Sequence, residues 1–201
     1  MVERISKMKI ALLGANGQLG SEFQSFFQEL RDSRFELFAY TRANMDLTDK
    51  ESIRQTLDNL KPDVVINAAA FTDVDSAESD LSDNLKVNYE AVTTLGDILS
   101  KTSARLIHFS TDYVFSSSTL KYFKINDEVC PINKYGEAKS KAEKYLREVL
   151  PESSTIIRTA WLYGKSKKNF VNKIHVKAKS HEEISVVNDQ FGQPTWTKDL
   201  V

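Results

Sequence analysis

The strongest constraint on this chain is a regular alternation, in which short apolar runs are separated by longer stretches whose apolar residues recur at helical spacing. A run of four to six apolar residues is the right length for a strand buried on both faces, and such strands belong to parallel sheets. Parallel neighbours need a crossover between them, and a helix supplies it. Runs at 9–13, 35–40, 64–67, 105–109 and 155–158 read as five such strands. Helices are expected at 19–30, 49–60, 75–100 and 131–149. The first carries Leu19, Phe23, Phe26, Phe27 and Leu30 on one face; the second has Thr48 as candidate cap and Pro62 beyond its end. The fold class is therefore α/β, a Rossmann-like doubly wound parallel sheet. After the fifth strand the pattern weakens to a helix at 169–179, a strand at 184–187 and the start of a helix from Trp196. Met8 stands directly before the first confident strand and is an alternative start.

Charge and cysteine usage remove several function classes. The 201 residues carry a formal charge of −1, so no long-range field selects nucleic acid or an anionic membrane, and any anionic ligand needs a local site. Cys130 is the single cysteine, which excludes an internal disulfide and a cysteine-based metal cluster. No apolar run reaches membrane-spanning length, and the first seven residues are polar and charged, unlike a secretory signal, so the cytoplasm is the expected compartment. His108, His175 and His181 lack metal-ligand spacing, and His108 falls inside a strand, where a core role is expected. The basic run Lys165-Ser166-Lys167-Lys168 reads as a solvated loop and not as a nucleic-acid surface.

Two clusters carry chemistry. Gly14-Ala15-Asn16-Gly17-Gln18-Leu19-Gly20 lies between the first strand and the first helix. Glycine there permits unusual backbone angles, close approach of a diphosphate and tight helix–strand packing, and the helix N-terminus offers unpaired N–H groups to phosphate. The second strand ends in Tyr40-Thr41-Arg42 and not in the acid that favours NAD, so Arg42 is a candidate partner for a 2′-phosphate, with a solvated surface role as its alternative. That leaves NADPH favoured over NADH. Asp46 and Leu47 are candidate adenine contacts, Asp46 having a helix-capping role as its alternative.

The second cluster is Tyr135 and Lys139, four apart and so on one helix face. A tyrosine hydroxyl can protonate a carbonyl oxygen as hydride reaches the carbon, and a nearby ammonium stabilises the phenolate. Ser110-Thr111-Asp112-Tyr113 closes the fourth strand, where ligands gather in a doubly wound sheet, and Thr111 could orient the carbonyl toward Tyr135.

These segments together resemble the extended short-chain dehydrogenase/reductases, and among them the dTDP-4-dehydrorhamnose reductase family. The similarity runs in order through Gly17-Gln18-Leu19-Gly20, Asn67-Ala68-Ala69-Ala70-Phe71-Thr72-Asp73, Ser110-Thr111-Asp112-Tyr113-Val114-Phe115, Arg158-Thr159-Ala160-Trp161-Leu162-Tyr163-Gly164 and Asn188-Asp189-Gln190-Phe191-Gly192-Gln193-Pro194-Thr195. It implies NAD(P)H-dependent reduction of the C4 keto group of a dTDP-linked deoxysugar. It gives Thr111, Tyr135 and Lys139 as the catalytic set. Gly14, Gly17, Gln18, Leu19, Asp46, Leu47, Ala68, Ala69 and Ala70 would contact the cofactor, with Arg42, Tyr135 and Lys139 beside them. Thr111, Asp112 and Trp161 would meet the sugar, Trp161 having a core aromatic role as its alternative.

By the same resemblance, residues 8–165 form the NAD(P)-binding domain and 166–201 the start of a substrate-binding lobe that family members extend past Val201, so the chain reads as truncated. The resemblance leaves room for a homodimer, and the sequence neither assigns nor excludes magnesium. One departure concerns substrate identity: Ser116-Ser117-Ser118 stands where the family usually has Asp-Gly. Two other readings stay open on the sequence: another nucleotide-sugar reductase or epimerase, and a non-catalytic regulatory subunit of the methionine adenosyltransferase β type.

Overall fold

The structure is a computed structural model that describes residues 6–79, 81–116, 122–165, 169–180 and 183–201. The first five residues, Ser117 and Ser118 of the serine loop, residues 166–168 of the basic run and His181 lie outside the described residues.

Five strands, β1 (Met8–Leu13), β2 (Phe35–Tyr40), β3 (Val64–Asn67), β4 (Arg105–Thr111) and β5 (Ser154–Thr159), form one parallel sheet in the order β2-β1-β3-β4-β5. The chain moves outward in one direction from β1 to β2, then returns to β3 on the other side of β1. The loops leaving β1 and β3 therefore diverge, and a crevice opens at their carboxyl ends.

Side-chain alternation explains why β1 is apolar throughout. Ala11 and Leu13 face one layer, where they meet Ile53 and Leu57 of α2 (Lys50–Leu60), Val92 and Leu95 of the helix ending at Leu99, and Leu146. Ile10 and Leu12 face the other, against Leu19 and Phe23 of α1 (Gln18–Leu30). Each fully buried leucine contributes about 2 kcal/mol relative to exposure.

The helix expected at 75–100 is interrupted: α3 (Val74–Ser79), α4 (Leu81–Leu85), a π-helical turn (Lys86–Glu90) and α5 (Ala91–Leu99) follow one another. The wide turn carries Asn88, whose buried amide donates to Phe71 O at 2.9 Å while its Oδ1 accepts from Phe71 N at 3.1 Å. Helical periodicity hides such a device, because the sequence stays amphipathic across it. The cap of α2 is Asp49, which accepts from Glu51 N. Thr48 instead donates from both N and Oγ1 to Asp46. Helix α6 (Lys134–Val149) starts three residues later than expected, at the Asn133 cap, whose Oδ1 accepts from Gly136 N at 2.7 Å.

Beyond β5 lie β6 (Leu162–Tyr163), α7 (Phe170–Lys179) and β7 (Thr195–Trp196), with β6 and β7 paired in parallel. Residues 184–187 form no strand: they find no sheet edge, and Val186 and Val187 stay exposed. The final turn, Thr197–Leu200, is 3-10 and not α-helical. It packs on α1, where Thr197 Oγ1 donates to the buried carboxylate of Glu22 at 3.2 Å. No described helix is long and apolar enough to cross a membrane.

Helix α6 is tied to β5 by a bidentate ion pair, Arg158 Nη2 to Glu143 Oε2 at 2.6 Å and Nε to Oε1 at 3.0 Å. Glu143 is almost fully buried, and the Arg158 guanidinium lies 4.7 Å over the Phe115 ring. Removing one partner leaves the other charge buried and unmatched. Glu143→Ala is expected to lower stability by about 3 kcal/mol in urea unfolding. Arg147→Ala, which removes the half-exposed second arginine from Glu143, should cost less than about 1 kcal/mol.

Candidate active site

The crevice is a groove of about 700 Å³ along the carboxyl edge of the sheet. Its first wall is the glycine turn. Gly14 has φ +75°, and a Cβ there would sit 2.7 Å from the backbone of Ala69 at the end of β3. A Cβ on Gly20 would lie 2.2 Å from Gly14 O. The two glycines thus let the turn press on β3 and let α1 start directly above it. Gly17 caps α1 with no side-chain hydrogen bond, so the first-turn N–H groups face the groove without an internal partner. Gln18 Oε1 is buried there and has no protein partner.

Two of these features fit a bound dinucleotide diphosphate: unpaired donors at a helix N-terminus and backbone close enough for contact. Arg42, Asp46 and Leu47 line the outer end. Arg42 is mostly exposed, its Nε 3.9 Å from Asp46 Oδ2. Asp46 Oδ1 is occupied by Thr48, and that bonding holds its carboxyl below the ordinary aspartate value. Ala68, Ala69 and Ala70 form the floor, the loop being tied by Ala69 N to Asn67 Oδ1 and by Phe71 to Asn88.

Thr111, Asp112, Tyr135 and Trp161 line the inner end. Thr111 Oγ1 accepts from Tyr113 N and donates to Asp112 Oδ1 at 3.1 Å, which starts a 3-10 turn, Asp112–Val114. The Tyr113 ring meets the Tyr135 ring edge-on at 6.0 Å. Gly136 makes this possible, because a Cβ would fall 2.2 Å from Tyr113 O. Trp161 has φ +46° and its ring is half exposed, covered on one side by Gly192. That is a groove-facing aromatic and not a core plug.

Burial pushes the Tyr135 hydroxyl up to about 12, with Asp112 and Tyr113 adding to the rise and hydrogen bonding with Thr111 opposing it. Burial likewise raises Asp112 above the ordinary aspartate value. The expected lowering of Tyr135 by Lys139 is absent from this arrangement. Lys139 lies beneath the groove, fully buried, and its Nζ donates to Phe109 O at 2.6 Å and stands 3.2 Å from His108 Nε2. Burial draws it down to about 8, with Glu143 opposing. His108, fully buried, is lowered well below its ordinary value by burial and then by Lys139.

The structure places every expected site residue along one groove except Lys139, which lies buried beneath it against Phe109 O and His108. Sequence reasoning missed Asn88, which holds the floor, and gave His108 only a core role. The signal for His108 was its register: β3 and β4 place it directly beside Asn67, two polar residues on adjacent central strands.

A profile of the RmlD substrate binding domain matches residues 8–201. The chain is 38% identical over 187 residues to a dTDP-4-keto-6-deoxy-D-glucose reductase of Streptomyces niveus, covering 93% of this chain and 64% of that protein. It is 34% identical over 192 residues to a dTDP-4-dehydrorhamnose reductase of Aggregatibacter actinomycetemcomitans, covering 96% and 64%. The chain thus spans less than two thirds of the length of these curated relatives. Among solved structures it is similar to the Bacillus anthracis dTDP-4-dehydrorhamnose reductase in complex with NADP, with a TM-score of 0.89 and 34% identity, covering 96% of this chain and 68% of that one.

Lys139 makes a pH signature. Between about 8 and 10.5 the unfolded chain holds a proton on this lysine that the fold does not, so stability rises with pH across that window. Tyr135 acts oppositely from 10 to about 12, where the fold keeps a proton that the unfolded chain loses. Urea unfolding of the wild type minus that of Lys139→Met should therefore climb by about 3 kcal/mol from the lower to the upper end of the lysine window. A flat difference would mean that Lys139 titrates as an exposed lysine.

Proposed function

The chain belongs to the RmlD substrate binding domain family, and from that membership we propose that it is the cofactor-holding and catalytic part of an NAD(P)H-dependent reductase of a dTDP-linked deoxysugar. The reaction is reduction of the C4 keto group of dTDP-4-dehydro-L-rhamnose to dTDP-L-rhamnose. The observation that carries this reading is the position of Tyr135. Its side chain lines the same groove as Thr111 and the glycine turn, and burial strengthens its hold on its proton.

The nicotinamide, when bound, supplies the hydride. First-turn amides of α1 and the glycine turn would hold the diphosphate, with Gln18 and Leu19 at the helix start. Ala68, Ala69 and Ala70, which line the floor, would border the bound cofactor. Thr111, which already meets Asp112, orients the sugar carbonyl. Tyr135 donates its proton to the carbonyl oxygen as charge builds there. With a hydroxyl held near 12, the tyrosine enters the reaction as the acid form at neutral pH. In its ammonium form Lys139, one turn along α6, would stabilise the phenolate left behind. Trp161 stacks against the sugar, its exposed face turned to the groove.

NADPH is the favoured cofactor, because Arg42 lines the outer groove with its guanidinium exposed, and because a similar solved reductase holds NADP. Asp46 and Leu47 would border the adenine. We assign residues 8–165 to cofactor binding and 166–201 to the sugar side, and the reading includes a cytoplasmic location.

Turnover is read as NADPH oxidation by absorbance with dTDP-4-dehydro-L-rhamnose, and cofactor binding as NADPH fluorescence. Tyr135→Phe should lower kcat about 10²- to 10⁴-fold with NADPH affinity retained. Undiminished turnover in that variant would overturn the assignment. Arg42→Ala should weaken NADPH about tenfold or more and leave NADH binding nearly unchanged. Equal losses for both would remove Arg42 from the 2′-phosphate site.

A further inference from the structure

Under the active-site groove runs a buried chain of polar contacts that the reaction as described does not use. Ala69 N donates to Asn67 Oδ1 at 3.2 Å, Asn67 Nδ2 is 3.2 Å from His108 Nδ1, His108 Nε2 is 3.2 Å from Lys139 Nζ, and Lys139 Nζ meets Phe109 O at 2.6 Å. Asn67, His108 and Lys139 are each essentially inaccessible to water. A buried donor that faces another donor costs the desolvation of both groups, so the directions of these bonds are coupled.

The directions can be worked out from the one fixed end. A backbone N–H only donates, so Ala69 holds the carbonyl oxygen of the Asn67 amide toward itself. That leaves Nδ2, a donor, facing His108 Nδ1. His108 Nδ1 must then be the bare, accepting nitrogen, and the ring proton sits on Nε2. Nε2–H points at Lys139 Nζ, which can accept only as a free amine. In that form every contact is matched: the amine accepts from His108 and donates to Phe109 O. An ammonium at Lys139 would need a bare Nε2. The ring proton would then face the Asn67 NH₂, or the amide would turn and set NH₂ against Ala69 N–H.

We propose that Asn67 is a positioning residue that fixes His108 as its Nε2–H tautomer and through it favours the free amine of Lys139. The inference rests on the reading of Lys139 as part of the reductase site and deepens it. The proton on Lys139 is governed from β3, through a chain that ends on Ala69 in the floor of the groove. The other charged groups near Lys139 act differently. Glu143, one turn along α6, favours the cation but is itself neutralised by Arg158 from β5 and Arg147. Burial drawing Lys139 down to about 8 agrees in direction with the hydrogen-bond argument.

The test is ¹⁵N NMR of the imidazoles in the unliganded chain, with His108 assigned by its loss in His108→Gln. At pH 9 the wild type should show His108 protonated on Nε2 and bare on Nδ1. Protonation on Nδ1 would overturn the proposal, and this result needs a variant only for assignment. Asn67→Asp then supplies a carboxylate that accepts from Nδ1–H and still accepts from Ala69 N. The tautomer should switch, and the Lys139 midpoint, followed by its ¹³Cε shift with Lys139→Met as assignment control, should rise by about one pH unit or more, a tenfold change in its proton affinity. An unchanged tautomer and midpoint would also overturn it. Both readouts are taken without cofactor or sugar, so a failure of the reductase reading leaves them standing, and their failure leaves the turnover of Tyr135→Phe untouched.

Discussion

The close approach of the β1–α1 turn to the end of β3 is the constraint on which the rest of this molecule depends. Gly14 lies against the Ala69 backbone, and Gly20 lies over Gly14 O at a distance no side chain tolerates. This contact fixes where α1 begins and therefore where its unpaired N–H groups point. It also closes the crevice at the reversal of strand order, so that phosphate-binding donors and the carboxyl ends of β1, β3 and β4 share one edge. A side chain at either glycine would move the helix off the sheet, and groove and core layer would be lost together, because Leu19 and Phe23 of α1 cover Ile10 and Leu12.

Along that edge the strands change character. Their interiors are aliphatic on both faces, but the last residues are Asn67, His108, Ser110 and Thr111, all buried. Polar groups there oppose folding unless matched, and the sheet matches most of them among themselves. Among the described residues, Ser110 Oγ and Gln18 Oε1 are the buried side-chain atoms left without a protein partner, and both residues border the groove. Stability forgone at this edge is the physical mark of a site, since a chain selected for folding alone would continue the aliphatic run.

The fold was legible because strand burial on both faces leaves an unmistakable pattern, and strands β1 to β5 fall within two residues of their expected ends. The glycine turn was legible for the same reason: strand, turn and helix occur in the only order that gives the motif meaning. What escaped was set by tertiary contact. The Asn88 turn disrupts a helix whose periodicity continues through it, and Asp49 takes the cap because Thr48 is committed to Asp46. The run at 184–187 has strand composition without a neighbour to pair with. His108 read as core because a strand histidine is usually no more than that; only β3–β4 register puts it beside Asn67, and only the packing of α6 brings Lys139 to its other nitrogen.

The Tyr135–Lys139 spacing shows how far a one-dimensional pattern reaches. Four residues do place both side chains on the face of α6 that meets β4. The spacing says nothing of depth, and depth decides the electrostatics. Tyr135 stops at the groove, where burial strengthens its hold on its proton, while Lys139 continues beneath the floor, where burial weakens its own. The two shifts have opposite sign for one cause, since the phenolate and the ammonium are both charged forms that a dry interior disfavours. Once Tyr135 has given its proton to the carbonyl oxygen, an ammonium at Lys139 one turn along α6 would offset part of the penalty on the tyrosinate. The pair is therefore better matched as a unit than either group is alone, which is what a site needs if it is to lose a proton from Tyr135 and recover it in every turnover.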